Sequence, residues 1–191
     1  MPPSNSLKKT IMATEIERKF LITETRFLDG RTGERIVQGY VAKEPGAMTT
    51  RVRIRADRAY LTLKGPKLGI SRDEFEYRIP LDDAHRMLAL YCGERIVRKT
   101  RYLLDVAGHT FEVDVFEGKH AGLVIAEIEL PHENTAHPRP PWLGREVTDD
   151  FRYGNFYLAH STGLALPVVW QPVTPGLATR QPAAKPVAPS H

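Results

Sequence analysis

The chain has 191 residues, 41% hydrophobic and 26% charged, which is typical of one globular domain. The single cysteine excludes an intrachain disulfide, and no apolar stretch reaches the roughly 20 residues of a membrane-crossing helix. The net charge of +4 is due to four basic residues near the two ends, Lys8, Lys9, Arg180 and Lys185. Of 27 basic side chains, 23 then remain against 23 acidic ones. The sequence predicts a cytoplasmic domain without a nucleic-acid footprint.

The chain divides into three regions by composition. Residues 1–13 are polar, contain two early prolines and are predicted to form a disordered extension. Residues 14–166 carry the periodic patterns of a folded domain. Residues 167–191 are rich in proline and alanine without periodicity, which predicts a flexible tail.

Alternating apolar and polar residues recur through the domain and predict a mainly β structure. We predict eight strands, at residues 14–22, 35–42, 49–56, 59–64, 73–79, 97–106, 109–116 and 124–130. A helix is expected from "DDAHRMLALYCG", where Asp82 or Asp83 caps the start and Gly93 ends the helix.

A second helix is expected near the end of the domain, over residues 149–162. Asp149 or Asp150 is the expected cap, and Gly163 the expected stop. Gly154 weakens the middle of this helix by up to about 1 kcal/mol.

The segment "TEIERKFLI" places several charges on one side of the first strand. Because strand side chains alternate, Glu15, Glu17 and Lys19 share one face and mostly apolar residues share the other. Six later strands repeat this arrangement. Their aligned charges are Arg51, Arg53, Arg55, Lys64, Glu74, Glu76, Arg78, Lys99, Arg101, Glu112, Asp114, Glu127 and Glu129.

Two architectures fit this pattern. In a two-layer sandwich the charges face water, whereas in a closed eight-stranded barrel they point inward. The barrel is favoured because the aligned positions are mostly Arg, Lys and Glu, and because like charges repel at successive same-face positions. Charge that faces inward is costly without a charged ligand. Clustered carboxylates suit Mg²⁺ or Mn²⁺ and clustered Arg and Lys suit phosphoryl oxygens, which together predict a metal–polyphosphate ligand.

The ordered motifs resemble those of the triphosphate tunnel metalloenzymes, also called CYTH-domain proteins. The segment "EIERK" (15–19) matches their Glu-x-Glu-x-Lys signature, and the later charged pairs match in order across residues 14–166. "QGYV" (38–41) and "EVTDDFRYGN" (146–155) are similar to segments of short bacterial members. The resemblance implies an eight-stranded antiparallel closed tunnel with a charged lumen. One tunnel end would be plugged by the helix near residues 149–162.

The resemblance also implies an enzyme. Short members with this pattern are similar to inorganic triphosphatases, which split tripolyphosphate into diphosphate and phosphate with Mg²⁺ or Mn²⁺. The implied metal ligands are Glu15, Glu17, Asp114, Glu127 and Glu129, with Glu76 as a further contributor. The residues expected to hold the phosphate chain are Lys19, Arg53, Arg55, Lys64, Lys99 and Arg101, with Arg78 as a further candidate. The residues expected to take part in catalysis are Lys19, Lys64, Glu76 and Glu112.

Several alternatives stay open at this point. A second metal ion, Glu76 or Glu112 would orient or deprotonate the attacking water, but Glu112 is equally suited to orient an arginine. Arg51 is expected at the rim of the tunnel or paired with an acid. The chain is alternatively a nucleotide-processing relative (an adenylyl cyclase, thiamine triphosphatase or nucleoside triphosphatase) or a non-catalytic polyphosphate-binding module. Neither nucleic acid nor membrane is an expected partner, and a monomer or homodimer is expected.

Overall fold

The computed structural model describes residues 16–41, 48–65, 73–132 and 134–163. The predicted extension (1–13), the predicted tail (167–191) and Glu15 lie outside these ranges. In the part that is described, no helix is long and apolar enough to cross a membrane.

Nine strands make up about half of the described residues. They are β1 (Ile16–Ile22), β2 (Glu34–Tyr40), β3 (Thr49–Arg55), β4 (Arg58–Lys64), β5 (Glu74–Ile79), β6 (Ile96–Val106), β7 (His109–Phe116), β8 (Val124–Leu130) and β9 (Leu143–Glu146). The first eight coincide with the predicted strands, with small shifts at their ends. The sequence does not predict β9, because its four residues "LGRE" carry no alternating pattern and follow a proline-rich stretch.

All nine strands belong to one antiparallel sheet in the order β5-β4-β3-β2-β6-β7-β8-β1-β9. Within the described residues β5 and β9 are the two edges, so the sheet is open. The prediction of a closed eight-stranded tunnel is therefore wrong in strand number and in closure. The reason lies at β1, whose outer side is occupied by β9. There Glu146 is paired with Phe20, and the Val147 amide donates to the Lys19 carbonyl oxygen (2.8 Å).

Helix α1 (Leu81–Met87) continues through one π-helical turn (Leu88–Cys92). Its N-cap position is held by Pro80, and no side chain caps it, so the prediction that Asp82 or Asp83 acts as the cap is wrong. Proline suits a helix start because its φ is already fixed near the helical value. The two aspartates lie in the first turn, where their charge favours the helix N-terminus.

The helix packs directly on β2 at Gly39. A Cβ atom at Gly39 would lie 2.6 Å from the Cys92 Sγ and 2.7 Å from a Leu88 methyl group, closer than any ordinary contact. Only glycine therefore lets the helix reach the sheet at this point. At the far end Gly93 ends the helix with φ of +55°, as predicted.

The predicted second helix consists of two short pieces. Asp150 accepts a hydrogen bond from a backbone amide and caps a 3₁₀ turn (Phe151–Tyr153). Gly154 then adopts extended backbone angles, and α2 (Asn155–His160) follows it. Gly154 thus interrupts the predicted helix rather than only weakening it, and α2 ends before the predicted stop at Gly163.

The two faces of the sheet differ in chemistry. On one face, apolar side chains of β1, β7 and β8 pack beneath Trp142 and form the largest core cluster. On the other face α2 packs at one end on Tyr40, Val97, Phe116 and Ile125, and Ile36 is buried farther along it. Most other positions of that face carry the charges, so α2 lies at one end of the charged surface. Because the sheet is open within the described residues, α2 has no closed tunnel end to plug as predicted.

We expect Gly39→Ala to destabilise the protein by about 1–3 kcal/mol, because the added methyl group overpacks the contact with Cys92 and Leu88. Urea unfolding followed by circular dichroism measures this. Gly65→Ala is the matched control, since a Cβ atom there meets its nearest neighbour at 3.7 Å. Equal stability of the two variants would contradict the close approach.

Candidate active site

Strand register places the predicted charges on a single face. In an antiparallel sheet, directly opposite residues share a face and their side chains interact. Lys19 on β1 lies opposite Glu127 on β8. Arg101 on β6 lies opposite Asp114 on β7. The charged face, as the term is used below, consists of Glu17, Lys19, Glu34, Arg51, Arg53, Arg55, Lys64, Glu74, Glu76, Arg78, Lys99, Arg101, Glu112, Asp114, Glu127 and Glu129.

Asp114 is the buried centre of this face, with no exposed surface. Arg101 donates two parallel hydrogen bonds to its carboxylate, from Nε to Oδ1 (2.7 Å) and from Nη2 to Oδ2 (2.6 Å). Lys99, which is 1% exposed, donates from Nζ to Asp114 Oδ2 (2.5 Å) and to Asn155 Oδ1 at the start of α2 (3.1 Å). Burial lowers the pKa of Lys99, and Asp114 offsets only part of that effect. One carboxylate thus holds two buried cations.

Glu127 joins this centre to the first strand. Its Oε1 accepts from Lys19 Nζ (2.5 Å), and its Oε2 accepts from Arg101 Nη2 (3.1 Å). Lys19 Nζ also lies 2.6 Å from Glu17 Oε1. Burial by itself would raise the pKa of the Glu127 carboxyl, but the nearby cations, Lys19 first, lower it far below its usual range. Burial would lower the pKa of the Lys19 ammonium, but Glu127 and Glu17 raise it. Both groups are therefore charged at neutral pH.

A second cluster lies on β3, β4 and β5. Glu76 accepts from Thr62 Oγ1 (2.7 Å), Arg53 Nη2 (3.0 Å) and Arg51 Nη2 (3.2 Å). Burial would raise the pKa of the Glu76 carboxyl, but the Thr62 hydrogen bond and the two guanidinium groups lower it. Arg51 is buried and paired with acids rather than lying at a rim. At the end of β4, Lys64 Nζ donates to a Glu74 carboxylate oxygen (2.5 Å).

The remaining predicted residues lie toward the margins. Arg55 donates from Nε to Glu34. Glu112 accepts a hydrogen bond from Arg101. This contact agrees with the alternative that Glu112 orients an arginine. Arg78 on the edge strand β5 and Glu129 on β8 are exposed. Glu15 lies outside the described residues, so its place as a metal ligand stays a prediction.

Three polar residues of the site are missed by the sequence patterns. Glu34 opposes Arg101 in the β2–β6 register, but the next residues on its face of the strand, Ile36 and Gln38, are uncharged, so no charged pair marks it. Thr62 holds Glu76 but has an ordinary polar side chain in a strand. Asn155 reaches Lys99 from a helix far along the chain. Only three-dimensional contacts identify such residues.

The protein is thus an antiparallel β protein, and buried acidic and basic side chains form ion pairs on one face of its sheet. The CYTH domain model matches residues 13–155, which is most of the chain. The chain therefore belongs to the CYTH domain family, the triphosphate tunnel metalloenzymes, and this family implies a divalent metal ion.

Individual relatives agree with this assignment. The chain is 44% identical to the inorganic triphosphatase of Acetivibrio thermocellus over 144 residues, which cover 75% of this chain and 92% of that protein. It is 38% identical to the inorganic triphosphatase of Nitrosomonas europaea over 152 residues, covering 78% and 98% respectively. Its fold is similar to the crystal structure of the inorganic triphosphatase NE1496, with a TM-score of 0.61 and 37% identity, covering 78% of this chain and 97% of that one.

The acidic residues of the charged face fit a divalent ion in chemistry and in register. Glu17 lies directly opposite Glu129, and Glu112 lies directly opposite Glu127. Like charges in such positions destabilise a sheet, and a bound cation removes that cost. Carboxylate oxygens are also the ligands that Mg²⁺ prefers. In the described side-chain positions no three candidate ligands lie close enough to hold a metal, and basic groups hold several of these acids in ion pairs.

We expect Asp114→Asn to destabilise the protein by about 3 kcal/mol or more, because Lys99 and Arg101 would lose the charge that compensates their burial. Urea denaturation of the purified variant measures the loss. Asp105→Asn is the control, since this exposed aspartate on the same hairpin accepts a hydrogen bond from the Thr110 hydroxyl (2.8 Å) and compensates no buried cation in the described structure. Losses of similar size in both variants would show that Asp114 is not the compensating charge.

Proposed function

We propose that this chain is a divalent-metal-dependent hydrolase that splits inorganic triphosphate into diphosphate and orthophosphate. Two relatives named inorganic triphosphatase support the proposal, because the chain covers nearly their full length at 44% and 38% identity. The substrate is then a small polyphosphate. A cytoplasmic location and a monomeric or homodimeric state are further parts of the proposal.

The observation that carries the proposal is an excess of positive charge at two neighbouring arginines of β3, Arg51 and Arg53. The Nε atoms of Arg51 and Arg53 are buried and have no hydrogen-bond partner within the described structure. Burial and the charge of the adjacent Arg51 lower the pKa of Arg53, and Arg101 and Arg55 add to this effect. A phosphoryl oxygen is the acceptor that suits a guanidinium group, often through two hydrogen bonds. A polyphosphate would therefore supply the missing negative charge and accept hydrogen bonds from the guanidinium groups.

The proposed roles follow the chemistry of the charged face. The residues that would hold the phosphate chain are Lys19, Arg53, Arg55, Lys64, Arg78, Lys99 and Arg101. The residues that would hold a Mg²⁺ or Mn²⁺ ion are Glu15, Glu17, Asp114, Glu127 and Glu129. Such an ion, when bound, neutralises phosphoryl oxygens and polarises the bond that breaks. Asp114 also has the structural task already described, since both of its oxygens accept from Arg101 or Lys99.

Glu76 and Glu112 are the candidates to handle the attacking water. The lowered pKa of the Glu76 carboxyl keeps it ionised at neutral pH, and a weak base of this kind orients a water molecule better than it deprotonates one. The basic residues would stabilise the charge that develops during in-line displacement. Lys19 and Lys64, held by acids on opposite halves of the sheet, would contribute to this stabilisation.

We expect phosphate release from tripolyphosphate in the presence of Mg²⁺ or Mn²⁺, none with a chelator, and slower release from ATP and thiamine triphosphate. A colorimetric phosphate assay across this panel measures it. Preference for ATP or thiamine triphosphate, or formation of cyclic AMP, would favour a nucleotide-processing or thiamine-processing relative. Tight binding of tripolyphosphate without turnover would favour a binding module.

We expect Lys19→Ala to lower kcat/KM for tripolyphosphate by at least about 100-fold, because it removes a buried cation that would contact the substrate. The phosphate assay, together with a circular dichroism melting curve, measures the effect. Arg58→Ala is the control, since it removes a positive charge from a largely exposed position beside Asp57. An unfolded Lys19→Ala protein would assign Lys19 a structural role instead.

A further inference from the structure

Lys19 is held by its main chain as well as by its side chain. Its amide donates to Thr148 Oγ1 (3.1 Å), and its carbonyl oxygen accepts from the Val147 amide (2.8 Å). Thr148 and Val147 directly follow β9, the edge strand that the sequence does not predict. The two residues therefore bind both polar groups of the Lys19 backbone. They do so from the β9 edge of β1, opposite the edge that pairs with Glu127 on β8.

Glu146 orients the Thr148 hydroxyl. Thr148 Oγ1 donates to Glu146 Oε1 (2.7 Å), so its hydrogen is committed to the carboxylate and its lone pairs face the Lys19 amide. Arg18 Nη1 donates to the same carboxylate oxygen (2.9 Å). Burial would raise the pKa of the Glu146 carboxyl, but the hydrogen bonds from Thr148 and Arg18 lower it. The acceptor of this short chain of hydrogen bonds is thus ionised at neutral pH.

A glycine allows this segment to lie so close to β1. A Cβ atom at Gly144 would be 2.6 Å from the Leu21 carbonyl oxygen, a clash with backbone that no side-chain movement relieves. The approach of β9 to β1 is therefore built into the sequence at Gly144. It delivers Glu146 and Thr148 to the residues that flank Lys19.

The backbone contacts decide where the Lys19 ammonium group lies. Because the amide and carbonyl of Lys19 both point toward β9, its pair with Glu127 on β8 is of the non-hydrogen-bonded kind, in which side chains lie closer together. The 2.5 Å contact of Lys19 Nζ with Glu127 fits this geometry. A shift of the strand at Lys19 would move the ammonium group along the charged face.

We propose that Thr148, oriented by Glu146, is a positioning residue for Lys19. It acts on the Lys19 backbone and fixes the ammonium group at the place where a phosphoryl oxygen of triphosphate would meet it. The inference rests on the proposed function, because it assigns Thr148 to the same reaction. Displacements of about 1 Å in such groups lower rates by up to about 100-fold.

The test compares Thr148→Val, which keeps the shape of the side chain and removes the hydroxyl, with Thr148→Ser, which keeps the hydroxyl. Thr110→Val is the control, since its exposed hydroxyl donates to Asp105 (2.8 Å) at the turn end of the β6–β7 hairpin. Two measurements are made on each purified protein: kcat and KM for tripolyphosphate with Mg²⁺, and amide hydrogen exchange at Lys19 by NMR. Thermal melting shows whether each variant is folded.

We expect Thr148→Val to lower kcat/KM by about 10- to 100-fold and to speed exchange of the Lys19 amide, with little change in Tm. Thr148→Ser is expected to keep kcat/KM and the rate of Lys19 amide exchange close to those of the unmodified protein. Thr110→Val is expected to change neither quantity. Unchanged exchange at Lys19 or unchanged kcat/KM in Thr148→Val would overturn the inference. So would equal losses in the valine and serine variants, because a hydroxyl would then not be the cause.

The exchange measurement also separates this inference from the proposed function. If the unmodified protein released no phosphate from tripolyphosphate, the proposed function would fail, and the role of Thr148 in that reaction with it. Faster Lys19 exchange in Thr148→Val would still show the backbone contact. If the unmodified protein is active and Thr148→Val matches it, only the positioning role of Thr148 fails.

Discussion

The charged face depends on one buried carboxylate. Asp114 has no exposed surface and neutralises both Arg101 and Lys99, which are themselves buried. Isolated buried charges cost several kcal/mol each, and pairing with complete hydrogen bonding offsets that cost. Because Arg101 is fixed in this way, its remaining donors reach Glu112 and Glu127, and Glu127 in turn holds Lys19. The arrangement of the basic groups therefore extends outward from Asp114.

The two halves of the face are balanced differently. Around Asp114 the cations and carboxylates satisfy one another, and the pKa values of Glu127 and Lys19 shift in the directions that keep both charged. On β3, two arginines share Glu76 and retain buried Nε atoms without acceptors in the described structure. Under the proposed function, the neutralised centre positions the polyanion and the adjacent surplus of positive charge attracts it.

The sequence predicts the elements that repeat and misses those that depend on single contacts. Alternation with period two is strong in eight strands, and it also predicts which charges share a face. The strand register places those of them that are described on one face of the sheet. Closure fails as a prediction because it depends on which strand occupies the outer edge of β1. That partner, β9, has four residues and no pattern. Gly154 interrupts the predicted helix through its backbone angles, and Thr148 holds Lys19 through one hydroxyl. The sequence pattern reveals neither contribution.

One short stretch of chain contacts two lysines of the charged face. Thr148 holds the backbone of Lys19, and Asn155, seven positions later, accepts a hydrogen bond from the side chain of Lys99. The stretch between them is therefore anchored at both ends, with Gly154 as the joint before α2. An insertion or deletion here shifts the backbone. Either Gly154 takes up that shift by changing its backbone angles, or one of the two lysines is displaced. This loop should therefore tolerate changes in length poorly.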